Sequence, residues 1–143
     1  MLSNAVYLMG SIAVGVGQVV VEENAFADAV TRAVAALFPH DPPRFLARTP
    51  HGCHDVALIR EELGRAGFAA VAIETREDLS RAPSARDAAT AYCQGTPLRN
   101  EIEARDAGLL QLATDRATAA IAKRHGEGPV TGKIQAHVIE ATR

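Results

Sequence analysis

The run V-A-L-I-R-E-E-L-G-R-A-G-F-A-A-V-A-I-E-T-R, residues 56–76, places a helical pattern, a glycine and a β-branched pattern in immediate succession. Val56, Ile59, Leu63 and Ala66 recur at helical spacing and make one apolar stripe, with Asp55 placed to cap the first turn. Gly67 stands where a helix ends in a left-handed residue, and Phe68 where the apolar contact behind such an end belongs. Val71, Ile73 and Thr75 then share one face of a strand. A helix that ends on glycine and feeds a short strand is half of a βαβ unit. The expected class is therefore α/β, with this strand returning to a parallel sheet.

The first 21 residues carry no charged side chain, yet they lack what a signal or a span requires. No basic residue precedes the apolar stretch, and Gly10, Ser11, Gly15, Gly17 and Gln18 interrupt a span that would need about 20 strongly apolar residues. Val19–Val21 and the short glycine-punctuated pieces suit a buried strand. G-V-G at 15–17 is followed by valines instead of a helix, so it reads as strand or bend and not as a phosphate loop. From Asn24, a plausible cap, Phe26, Val30, Val34 and Leu37 or Phe38 predict a helix over 25–37, which Pro39, Pro42 and Pro43 stop. The segment from His40 to His54 has loop chemistry, with Gly52 free to take a positive φ.

After Arg76 the pattern is helical for about fifty residues. Ser84 and Asp87 form a capping pair for A-R-D-A-A-T-A-Y-C-Q; Gly95 ends that helix, and Thr96-Pro97 restart one carrying Leu98 and Ile102. Leu109, Leu112, Ala113, Ala117, Ala120 and Ile121 predict a third piece, stopped by G-E-G-P. K-I-Q-A-H-V-I-E-A-T then alternates as a strand with Ile134, Ala136 and Val138 inward. The organisation is one domain over 1–143. It comprises a strand-like apolar N-terminus (1–22), helix–loop–helix–strand (23–81), a lid-like helical insert (82–132) and a closing strand (133–143).

A chain of 143 residues with 48% hydrophobic side chains can bury the core of one globular domain. Its net charge of −2, with arginines interspersed among acids, provides no basic field, which argues against nucleic acid or an anionic membrane as partner. Chemistry-bearing residues concentrate in A-R-T-P-H-G-C-H-D, 47–55. His51, Cys53 and His54 could be metal ligands, but a structural zinc site needs four, and none is assigned. Cys53 with a histidine base would need an orienting group and an oxyanion hole. The third reading is a polar turn whose Asp55 starts a helix. Cys53 and Cys93, 40 residues apart, form no metal or redox motif and suit free thiols in the cytoplasm. Tyr92 and Cys93 read as core or rim positions, and His125 and His137 as surface ones.

Two longer stretches, D-P-P-R-F-L-A-R-T-P-H-G-C-H-D (41–55) and C-Q-G-T-P-L-R-N-E-I-E-A-R (93–105), taken with the order of the elements, carry a resemblance. From about Glu22 onward the chain resembles the C-terminal part of a class I S-adenosylmethionine-dependent methyltransferase of the ubiquinone and menaquinone methylase type. The resemblance implies a partial Rossmann-like sheet of about three strands: the valine-rich N-terminus, 69–76 and 133–142. The last of these would be antiparallel and slot beside the first. It also implies that Arg48, His51, His54 and Tyr92 contact the substrate, with no catalytic residue assigned to this chain. Such enzymes hold S-adenosylmethionine on a glycine-rich loop after their first strand, and no strand–loop–helix module precedes Asn24. The chain is therefore expected to bind no cofactor alone.

The implied partners are a small-molecule methyl acceptor and either a second copy or a partner chain, because a half sheet exposes an apolar edge. The alanine-rich faces around 85–94 and 109–121 suggest an alternative, a non-enzymatic domain for small-ligand binding or dimerisation.

Overall fold

The computed structural model describes residues 7–9, 12–52 and 54–143. Four strands form one sheet: β1 (Tyr7–Met9), β2 (Ile12–Gln18), β3 (Ala70–Ala82) and β4 (Val130–Thr142). Their spatial order is β1-β2-β4-β3, and every neighbouring pair is antiparallel. The class is α/β with an antiparallel open sheet. This corrects two expectations, since the described residues form four strands and not about three, and β3 does not return beside a parallel neighbour. The reason is β4, which is the last strand in sequence yet lies between β2 and β3. Being antiparallel to both, it leaves β2 and β3 running in the same direction without touching. The expected position of the final strand, antiparallel and beside the N-terminal one, is observed. The glycines of G-V-G are strand residues, with Gly15 opposite Ile139 and Gly17 opposite His137. Residues 1–6, 10 and 11 of the expected N-terminal unit lie outside the described residues.

Local signals place the helices closely. The first, α1 (Ala25–Ala35), buries Phe26, Val30 and Val34 as its spacing requires. Asn24 stands at its N-cap position, but its side chain caps nothing there; its carboxamide oxygen accepts from the Gln135 backbone N–H at 3.2 Å. The β2–β4 ladder ends at Gln18 opposite Ala136, so Asn24 serves a donor just beyond that end. A one-turn helix, α2 (Phe45–Arg48), forms where loop was expected. In α3 (Val56–Arg65), the Asp55 carboxylate accepts from the Ala57 and Leu58 N–H groups. At its other end Phe68 N–H donates to Leu63 C=O at 3.1 Å and Gly67 N–H to Gly64 C=O at 3.0 Å, with Gly67 at φ 88°. This paired closure is the one a left-handed glycine permits.

The strands are longer than their periodicity suggests. β3 continues through E-D-L-S-R to Ala82, a stretch without apolar alternation, because all thirteen of its residues pair with β4. The alternation assigned to β4 also needs correction. Ile134, Ala136 and Val138 are only half-buried, whereas His137, Ile139 and Ala141 are buried on the opposite face. There α3 packs Ile59 and Leu63 against Ile139 and Ala141. At its start the strand buries Val130 and Gly132 among the helices. The buried side of β4 therefore changes midway, which no single alternating pattern can express.

The insert between β3 and β4 holds α4 (Ala85–Gly95), α5 (Leu98–Asp106) and α6 (Leu110–His125). Ala85, Ala88, Ala89 and Cys93 of α4 join Ala113, Ala117 and Ile121 of α6 in one core with α1. Small side chains let these backbones approach, so alanine packs the interior. Leu112, assigned to the α6 stripe, is exposed. The Asp28 carboxylate of α1 is buried and ties the layer together, accepting from Arg32 Nε at 2.6 Å and from Arg124 of α6 at 3.0 Å. Gly132 sits under α1, where a Cβ would lie 2.9 Å from a Phe26 ring carbon and 3.1 Å from the Ala25 Cβ. Gly132→Ala is therefore expected to lower stability by about 1–3 kcal/mol through overpacking, read as a shift of the urea unfolding midpoint.

Candidate functional site

The carboxyl end of β2 is where the polar turn meets the sheet. His51 is buried, and its Nδ1 lies 2.8 Å from the carbonyl oxygen of Val19. A carbonyl can only accept, so the Nδ1 proton is present and donates. His54 is exposed, and its Nδ1 donates in the same way to the His51 carbonyl at 3.0 Å. The His54 carbonyl in turn faces His137 Nε2 at 3.3 Å, and Thr75 Oγ1 lies 2.9 Å from His137 Nδ1. These contacts fix a consistent tautomer for His137, with Nε2–H donating to the turn and Nδ1 accepting from the Thr75 hydroxyl. Three imidazoles thus link β2, the turn, β4 and β3.

His137 corrects a sequence reading, since it is buried at 7% exposure and not a surface residue. Its position opposite Thr75 and Gly17 could be read from sequence only once the β2–β4–β3 register was known. Gly52 also has a role other than the expected one. It takes no positive φ, but a Cβ there would collide with the Arg48 carbonyl oxygen, so the residue is needed for space. Cys53 lies outside the described residues. Among the described residues no three His, Cys, Asp or Glu side chains converge as metal ligands.

Arg48 is directed away from this chain of imidazoles. Its guanidinium bonds Glu101 Oε1 of α5 at 2.5 Å, while Glu101 Oε2 accepts from the Arg44 and Phe45 backbone N–H groups at 2.9 and 3.2 Å. One carboxylate thus satisfies the first turn of α2 and pairs with its last residue. Partial burial pushes the Glu101 carboxyl up, but the hydrogen bonds from Arg44, Arg48 and Phe45, with the Arg48 charge, outweigh it and hold it below its ordinary value. Arg105 adds a second fastening, with Nε on the Asp41 carbonyl at 2.5 Å and Nη2 on its carboxylate at 3.0 Å. The stretches 41–55 and 93–105 are therefore one docked unit. Glu101 was not singled out from sequence, and its acidic-in-a-helix context carries no signal of this contact.

Tyr92 lies elsewhere, half-buried against the helical core, with its carbonyl accepting from Thr96 Oγ1 at 2.7 Å. Burial raises its phenol above the ordinary range. The neighbouring Cys93 thiol is fully buried and pushed up to about 11, which makes it a packing residue and not a nucleophile. A cleft of about 360 Å³ opens between α4 and α6, lined by Ala85, Ala119, Ala122, Thr118 and Glu127, with the Arg86–Asp115 ion pair across it. Among the described residues no helix is long and apolar enough to cross a membrane. No protein-family model matches the chain, and no curated protein does.

Burial lowers the His51 imidazole below its ordinary value of 6.5, against the hydrogen bond to Val19, which raises it. Because the folded state releases this proton more readily than the unfolded state, stability is full above pH 6.5 and falls as the pH drops through that value. The loss ceases below the lowered folded value. Urea midpoints measured from pH 7.5 to 5 should decline, and His51→Gln should flatten the decline. Glu101→Ala, which strips two amides and a guanidinium of their acceptor, is expected to cost about 1–3 kcal/mol in the same assay at pH 7.

Proposed function

We propose that this chain forms the acceptor-side portion of an S-adenosylmethionine-dependent methyltransferase-like enzyme whose cofactor-binding half is supplied outside the described residues. The observation that carries this reading is the strand order β2-β4-β3, with the last strand inserted antiparallel between two that run the same way. The methyltransferase resemblance implies a closing strand antiparallel to and beside the N-terminal one, as β4 lies beside β2. The placement of the turn adds support, because His51 and His54 stand at the carboxyl end of β2, where ligands of such sheets collect.

Within this reading the four substrate-side residues divide. His54 has solvent access and is the group best placed to meet an acceptor, and Tyr92 is the rim residue of the insert. His51 and Arg48 hold the turn in place through Val19 and Glu101. Their contribution is orientation of a small oxygen, nitrogen or carbon nucleophile and exclusion of water. Among the described residues, the G-V-G glycine pair lies in the sheet and not in a phosphate loop, which supports a cofactor seat elsewhere. Gly15 and Gly17 are paired within the sheet, so they form no amide-lined turn for an anionic or nucleoside group.

Calorimetric titration of S-adenosylmethionine into the 143-residue chain is expected to give no saturable binding. Stoichiometric, tight binding would overturn the proposed division. A chimera in which the cofactor half of a menaquinone-type methylase replaces β1, freeing the β2 edge that β1 occupies, is expected to fold and bind S-adenosylmethionine. A chimera whose added half folds and binds while β2–β4 remain unpaired with it would remove the acceptor-side reading.

A further inference from the structure

The outer edge of β3 pairs with no strand among the described residues, and its backbone groups can be assigned individually. The Val71 carbonyl accepts from Arg60 Nη1 at 2.5 Å, the Leu79 N–H donates to Asp78 Oδ1 at 2.7 Å, and the Leu79 carbonyl accepts from Arg81 Nη1 at 3.4 Å. These bonds are made by side chains and not by β4, so the odd-numbered residues direct their backbone groups outward. The Val71 carbonyl near one end and both Leu79 groups near the other are thereby occupied. Ile73, Thr75 and Glu77 remain between them, three residues symmetric about Thr75, with outward N–H and C=O groups.

The charges share that symmetry. Glu74 and Arg76 flank Thr75, are exposed, and pair with each other at 2.9 Å. If a second copy of β3 pairs antiparallel with its two-fold on Thr75, Glu74 of each chain faces Arg76 of the other. These are non-hydrogen-bonded positions, where opposed side chains approach most closely. Thr75 pairs with Thr75, and Ile73 with Glu77, through the free backbone groups. The exposed Leu79 comes opposite Val71 on the face that α3 covers.

We propose that the chain forms a two-fold dimer by antiparallel β3–β3 pairing centred on Thr75, which joins two four-stranded sheets into one. A charged edge ordinarily discourages pairing. This one carries both signs in an order that repels a shifted register and matches its own copy. The inference does not depend on the methyltransferase reading.

Sedimentation equilibrium of the chain is expected to show a reversible dimer. Arg76→Glu places like charges opposite each other twice across the two-fold and is expected to raise Kd about tenfold or more. The double variant Glu74→Arg/Arg76→Glu restores opposite charges with their signs exchanged and should bring Kd back to within about threefold of the original. Hydrogen exchange of the Ile73, Thr75 and Glu77 amides should slow as wild-type concentration rises. A chain that stays monomeric at about 100 μM overturns the proposal, since no useful affinity would remain. It also fails if a dimer forms whose Kd ignores the charge reversal, or if these amides exchange equally at all concentrations. The exchange arm uses the wild-type protein, so it decides the matter even where a variant misfolds.

Discussion

The ladder between β3 and β4 carries the rest of the architecture. It joins Ala70 to Thr142 at one end and Ala82 to Val130 at the other, so its two strands are brought together across the whole helical insert. Closing that loop costs conformational entropy before any bond is gained, and the long register then returns it as an uninterrupted series of backbone bonds. Beyond the end of β2 the two strands continue as a ribbon, and the helical layer sits on that ribbon. Asn24 binds Gln135 there, and Phe26 lies over Gly132. If the ribbon were lost, α1 and the insert would have no common platform.

Two polar assemblies orient the turn against this frame, and they work by different means. On the sheet side, imidazoles of His51, His54 and His137 pass hydrogen bonds between backbone carbonyls and one hydroxyl. On the helical side, Glu101 and Arg105 use charge, but near the surface, where the desolvation cost of an ion pair is modest. The segment between Asp41 and Asp55 is therefore held at both flanks, although its described residues contain a single helical turn.

Helix positions were legible in the sequence because their determinants are local. Asp55 and Ser84 cap their helices as placed, and Gly67 ends α3 with the residue behind it making the expected contact. Strand neighbours were not legible in the same way. The helix-to-strand signal at Gly67 says that β3 returns to a sheet, but it cannot say which strand will lie beside it. The polar half of β3 shows no alternation because pairing with β4 sustains it. The buried face of β4 was misjudged because helices cover one side at its start and α3 covers the other side further on. His137 and Glu101 were missed for a related reason, since each acts only through a partner more than fifty residues away. In contrast, the convergence of polar side chains around His51 and His54 was visible as an unusual density of polar chemistry between two helices.

The order in which a ribosome delivers these pieces differs from the order in which the sheet is stacked. The strand at the centre is synthesised after both of its neighbours, so β2 and β3 have no mutual contact to hold them while the insert emerges. Nascent helices can form early, but β2 and β3 must await β4 for their shared partner, and until then their edges are available to chaperones or to copies on neighbouring ribosomes.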